Sequence, residues 1–72
     1  MTYVLKYMEP YEFLCKKCKH KKIDFRQEKL IFDSLDNDRA RAQCKEFLNE
    51  TIIVCGKRVK RKLVELIQYI DL

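Results

Sequence analysis

A chain of 72 residues, 47% apolar and 38% charged, holds one small domain over residues 1–72 and is too short for a multidomain enzyme. A single glycine and a single proline exclude a low-complexity chain. The net charge is +5, yet ten of the 16 basic residues stand in two acid-free blocks, Lys16, Lys17, Lys19, Lys21, Lys22 and Lys57, Arg58, Lys60, Arg61, Lys62, which leaves an acidic remainder. Charge concentrated in this way makes a directional field suited to phosphate or to an acidic protein surface.

Tyr3, Leu5 and Tyr7 alternate with Val4, Lys6 and Met8, which predicts a first strand that Pro10 stops. Tyr11, Phe13 and Cys15 alternate again, and so does the run from Ile23 to Arg26. Residues 11–26 therefore read as strand, turn, strand with Cys15 and Cys18 at the tip. Residues 27–35 fit a short helix or an extension of the strand. Asp36 and Asp38 are N-cap residues, and Ala40, Cys44, Phe47 and Leu48 recur at helical spacing, which predicts an amphipathic helix over 38–50. The β-branched run Thr51 to Cys55 predicts a strand, followed by a turn at Gly56-Lys57. Val59, Leu63, Leu66, Ile67 and Ile70 then fall on one face of a C-terminal helix of about three turns. The expected fold is α+β: a small antiparallel sheet of three to four strands carrying the C-x-x-C hairpin, with a central and a C-terminal helix, stapled by zinc.

No apolar stretch reaches the roughly 18 residues of a membrane span, and the N-terminus carries a lysine at its sixth residue in place of a leader's apolar centre. The expectation is an intracellular, cytoplasmic protein without a membrane partner, whose four cysteines stay reduced and are either metal ligands or core residues. Cys15-Lys16-Lys17-Cys18 has the spacing that brings two thiolates to one tetrahedral ion. The segment from Tyr11 to Lys22 resembles one knuckle of a zinc ribbon: an aromatic strand, the C-x-x-C tip, then a polar return strand. That family adds a second C-x-x-C and usually a glycine after each pair, whereas here Lys19 holds the glycine position and Cys44 and Cys55 are far apart in sequence. A zinc on Cys15 and Cys18 would need two more ligands from Cys55, Cys44 and His20. Cys55 stands first among these, at a strand end before the turn glycine. Cys44 lies in the apolar stripe of the central helix, where a small buried hydrophobe is its ordinary role. His20 fits a ligand and an exposed loop residue equally well. Flanking lysines would also raise the reactivity of the pair, although a redox pair normally opens a helix rather than joining two strands.

With one glycine there is no phosphate-cradling loop, and His20 has lysines on both sides in place of an orienting carboxylate. No catalytic residues and no small-molecule substrate are expected. The sequence reads as a non-enzymatic binding or regulatory module that meets nucleic acid or a nucleoprotein machine through the two basic blocks. The competing reading is a protein-interaction adaptor or inhibitor, of the sort a virus or mobile element encodes, that clamps an acidic surface of a polymerase or nuclease. Tyr7, Tyr11 and Phe25 can stack on bases, but alternating strand aromatics more often belong to a core.

Overall fold

The computed structural model of the protein describes residues 1–69. Five strands and one helix follow in the order β1 (Thr2–Leu14), β2 (Lys21–Asp33), α1 (Asn37–Asn49), β3 (Thr51–Val54), β4 (Lys57–Lys60) and β5 (Lys62–Tyr69). They form an antiparallel sheet of order β2-β1-β5 and a separate β3-β4 hairpin. The α+β expectation holds in that form.

Pro10 does not stop β1. The N–H of Cys15 bonds the carbonyl of His20 at 2.9 Å, and that of Ser34 bonds Met1 at 3.0 Å. With continuous pairing between these ends, the odd-numbered residues of β1 exchange bonds with β2. Even-numbered β1 residues turn the other way, toward β5, which pairs with Thr2 through Met8 only. Pro10 therefore meets no ladder on its bonding side, and its missing N–H costs nothing.

Tyr3, Leu5 and Tyr7 share the face that α1 covers. Leu5 is wholly buried, Tyr3 stacks on Phe32 at 5.6 Å between centroids, and Tyr7 meets the Phe47 ring edge-on at 5.0 Å. Ala40 and Cys44 are the buried residues of the helix, as their spacing predicts. Its start is fixed by Asp36, whose carboxylate accepts from the Arg39 N–H at 2.8 Å, and by the Tyr3 hydroxyl, which donates to Asn37 Oδ1 at 2.7 Å. One helix is too narrow to cover three strands. An apolar groove of about 450 Å³ consequently remains beside it, walled by Leu48, Leu63 and Leu66. On the opposite sheet face Val4 is buried between Ile31 and Ile67, while Ile31 stays 68% exposed.

The predicted C-terminal helix is absent: residues 57–69 are β4, a one-residue link and β5. A β-bulge explains the misleading spacing. β5 pairs Glu65 with Lys6 but Leu63 with Tyr7, so Val64 is the extra residue. The bulge brings Leu63 and Leu66, three apart, to the same side, which imitates one turn of helix. Ile70, the last residue of the expected helical face, lies outside the described residues. The preceding turn is also displaced by one residue. Cys55 (φ +54°) and Gly56 (φ +72°) are its two central residues, the left-handed pair that a tight two-residue hairpin requires.

Candidate functional site

The β1-β2 tip places Lys16, Lys17, Lys19, Lys21 and Lys22 at one end of a molecule whose principal extents are 51 × 23 × 13 Å. All five are exposed. Among the described residues, the only ion pair in this group joins Lys21 to Glu12 at 3.9 Å. Glu12 also accepts from the Cys55 N–H at 3.1 Å, so the β3-β4 turn is tied to the same end of β1. The charges of Lys21 and Lys57 both act on the Cys55 thiol, which brings the beginning of the second basic block into electrostatic reach of the first. Lys57, Arg58 and Lys60 are exposed on β4. At the other end, about 40 Å away along β2, Asp33, Asp36 and Asp38 stand with Arg39, Arg41 and the N-terminal ammonium, so the charges there are mixed. The unbalanced positive charge is concentrated at the tip.

No family model, curated protein or solved structure matches this chain.

Two members of the second block are placed differently from the expectation. Arg61 is not a surface cation: its side chain is 13% exposed, its Nε donates to Glu9 Oε2 at 2.6 Å, and its Nη1 donates to the Phe47 carbonyl and Glu50 Oε2 at 2.9 Å each. Its guanidinium carbon lies 3.9 Å from the Phe47 ring centroid. Burial opposes this charge, but the Glu50 and Glu9 carboxylates outweigh it and hold the pKa above the ordinary arginine value. Arg61 locks the β4-β5 link to β1 and to the end of α1. Lys62 places its ammonium 4.2 Å from the centroid of Phe25, which makes Phe25 a packing partner rather than a stacking platform. Tyr7 is likewise occupied by Phe47.

Phe13, not singled out from sequence, is the aromatic residue nearest the tip that remains open. It is 38% exposed, shares a strand face with Tyr11, and lies 6.2 Å from it between ring centroids. Its signal in the sequence is the Tyr11, Phe13, Cys15 alternation, which leads toward the lysines rather than toward the helix-covered core.

The cysteines do not assemble as a set of four. Cys44 is buried under α1 at the level of Leu66, which pairs with Leu5, and about 33 Å of strand separate that level from Cys15. Cys44 therefore serves as a core residue. Cys55 sits against Glu12, and burial followed by this carboxylate raises its thiol above the ordinary value. His20 bonds Cys15 through its carbonyl, and among the described residues no three His, Cys, Asp or Glu side chains converge to hold a metal. Cys15 and Cys18 alone meet, across a turn closed by Lys19 N–H to the Cys15 carbonyl at 2.8 Å. Lys19 takes φ +58°, at the position where the zinc-ribbon knuckle carries glycine. That conformation costs about 1–2 kcal/mol without glycine.

Two expected results follow from this placement. A two-thiolate site cannot supply the stabilisation of roughly 10 kcal/mol that a four-ligand structural zinc gives a small domain. EDTA should accordingly leave the thermal midpoint of the purified protein unchanged, and unfolding on chelation would restore the four-ligand reading. The second result concerns the thiols. Hydrogen bonds from Cys18 and from the Lys17 N–H lower the Cys15 thiol, whereas burial raises Cys44 and Cys55. Iodoacetamide at pH 7–8 should label Cys15 ahead of Cys55 and Cys44, with a rate that saturates at lower pH for Cys15. Peptide mass mapping reads the order, and equal labelling of Cys15 and Cys55 would contradict it.

Proposed function

We propose that the protein is a non-enzymatic nucleic-acid-binding module that holds the phosphate backbone against its lysine-rich end. The observation that carries this reading is the β1-β2 tip, where Lys16, Lys17, Lys19 and Lys22 are exposed without ion pairs among the described residues, beside the open ring of Phe13. Phosphate would supply the missing counter-charge, and a partly exposed ring can stack on an unpaired base. Lys57, Arg58 and Lys60 extend the cationic surface along β4.

Lysine side chains and one open ring carry no base-pairing code, so the mode is backbone contact with modest base preference. Fluorescence anisotropy with labelled single-stranded DNA and RNA and with duplex DNA tests it. All three should bind at low salt, single strands more tightly than the duplex, with affinity falling steeply as salt rises. Failure to bind any of the three polymers at low salt would overturn the proposal and favour the clamp on an acidic protein surface.

A further inference from the structure

β2 is an edge strand over its whole length, Lys21–Asp33, and no strand pairs beyond it among the described residues. Natural edges are blunted by charged side chains, a proline, a bulge or shortness. This one has charges but no proline or bulge, and thirteen residues pair with β1 in unbroken register, so only a partner of matching charge pattern can add to it. Since the even-numbered residues of β2 bond to β1, its odd-numbered residues, Lys21 through Asp33, turn N–H and C=O groups outward.

We propose that this edge pairs antiparallel with the β2 edge of a second copy, centred on Gln27, to give a two-fold dimer with one continuous six-stranded sheet. The sequence of the strand is complementary to itself in that register. Lys21 stands opposite the partner's Asp33, Ile23 opposite the partner's Ile31, Phe25 opposite the partner's Lys29, and Arg26 opposite the partner's Glu28. No like charges meet. A slip of two residues one way puts Arg26 opposite its own copy and Asp24 opposite Glu28, and the other way puts Glu28 opposite its own copy. A slip of four sets Lys21 against Lys29 or Lys29 against its own copy. Odd slips place an outward-turned residue against an inward-turned one and forfeit the ladder. One register with full overlap survives, and it makes roughly fourteen inter-chain backbone hydrogen bonds.

The shape of the chain agrees. A compact monomer of this length exposes about 4,800 Å², whereas this chain exposes 5900 Å². Its radius of gyration is 15.2 Å, against about 11 Å for a compact 72-residue domain. The extension comes from the β1-β2 arm, which runs past the end of β5 and leaves the β2 edge open along its full length. The two-fold axis stands perpendicular to the sheet, so both helices lie on one side, and Ile31, 68% exposed in the single chain, acquires the partner's Ile23 as a neighbour.

Sedimentation equilibrium on the intact chain, over roughly 1–100 µM, should give twice the chain mass, with a thermal midpoint that rises with concentration. Gln27→Pro removes an outward N–H without breaking a bond to β1, the situation Pro10 already occupies on β1, and should weaken dimerisation on the order of 100-fold. Arg26 also bonds Glu28 of its own strand at 3.1 Å and lies over the Tyr11 ring, so the two-fold brings two such pairs into one cluster of four charges. Arg26→Glu should weaken dimerisation about 10-fold by setting carboxylates against one another in that cluster, and combining it with Glu28→Arg should restore it. The charge-swap pair decides the matter even where the proline variant fails to fold. A parent chain that stays monomeric throughout, or a dimer indifferent to both Arg26→Glu and Gln27→Pro, would overturn the proposal.

Discussion

Arg61→Ala is expected to lower the stability of the protein by roughly 2–3 kcal/mol, a large share of what a domain of this length has. The guanidinium joins three segments at once: the Glu9 carboxylate on β1, the Phe47 carbonyl at the end of α1, and Glu50 just beyond it. Alanine would leave Glu9, whose side chain is 23% exposed, without its partner, and would expose the face of Phe47. The pair is only partly buried, so its loss falls below the about 3–5 kcal/mol of a fully buried pair. A domain of this length has only about 4–11 kcal/mol in total. Glu50, 61% exposed, accounts for the smaller share. Arg61→Lys keeps the charge but loses the planar fork and the ring contact, so it should fall between the two. Arg58→Ala, one turn of chain away and exposed, should change stability by less than about 0.5 kcal/mol. Urea unfolding followed by far-ultraviolet circular dichroism ranks the three. Equal stability of Arg61→Ala and Arg58→Ala would return Arg61 to the partner surface where its place in a basic block first put it.

Arg61 also shows where sequence reading reaches its limit. Nothing distinguishes it locally from Arg58 or Lys60; its burial depends on Glu9, fifty-two positions away, which only the assembled fold brings near. Features fixed by neighbouring residues were readable. Asp36 and the Ala40, Cys44 spacing located α1 to within a residue at each end, and alternation on both sides of Cys15 and Cys18 located the hairpin and its basic tip. Pro10 misled because its effect depends on which side of β1 has a partner strand. Leu63 and Leu66 misled because a bulge converts a two-residue period into a three-residue one. The separation of Cys44 from Cys15 follows from β1 and β2 running straight for thirteen residues each, and the expected break at Pro10 would have shortened the span.

Replacing Lys16, Lys17, Lys19 and Lys22 together with glutamine should abolish nucleic-acid binding at physiological salt while the fold persists. All four are exposed and lie outside the buried core, so the variant should unfold at the parent's urea midpoint. Lys19→Gln keeps a side chain at φ +58° and adds no new strain there. Each phosphate contact contributes about 0.7 to 0.9 to the slope of log affinity against log salt. Loss of four contacts should flatten that slope by about 3 on a single strand and closer to 4 on a duplex. The counterpart variant, with Lys57, Arg58 and Lys60 replaced, should flatten it by about 2 if β4 continues the same surface. Phe13→Ala provides the contrast: a lost stack should cost about 1–3 kcal/mol on a single strand and leave the salt slope where it was. A tip variant that retains the parent's affinity and slope would move the contact surface away from the hairpin. A slope change without any contribution from Phe13 would reduce the site to electrostatic attachment, which duplex and single strand share equally.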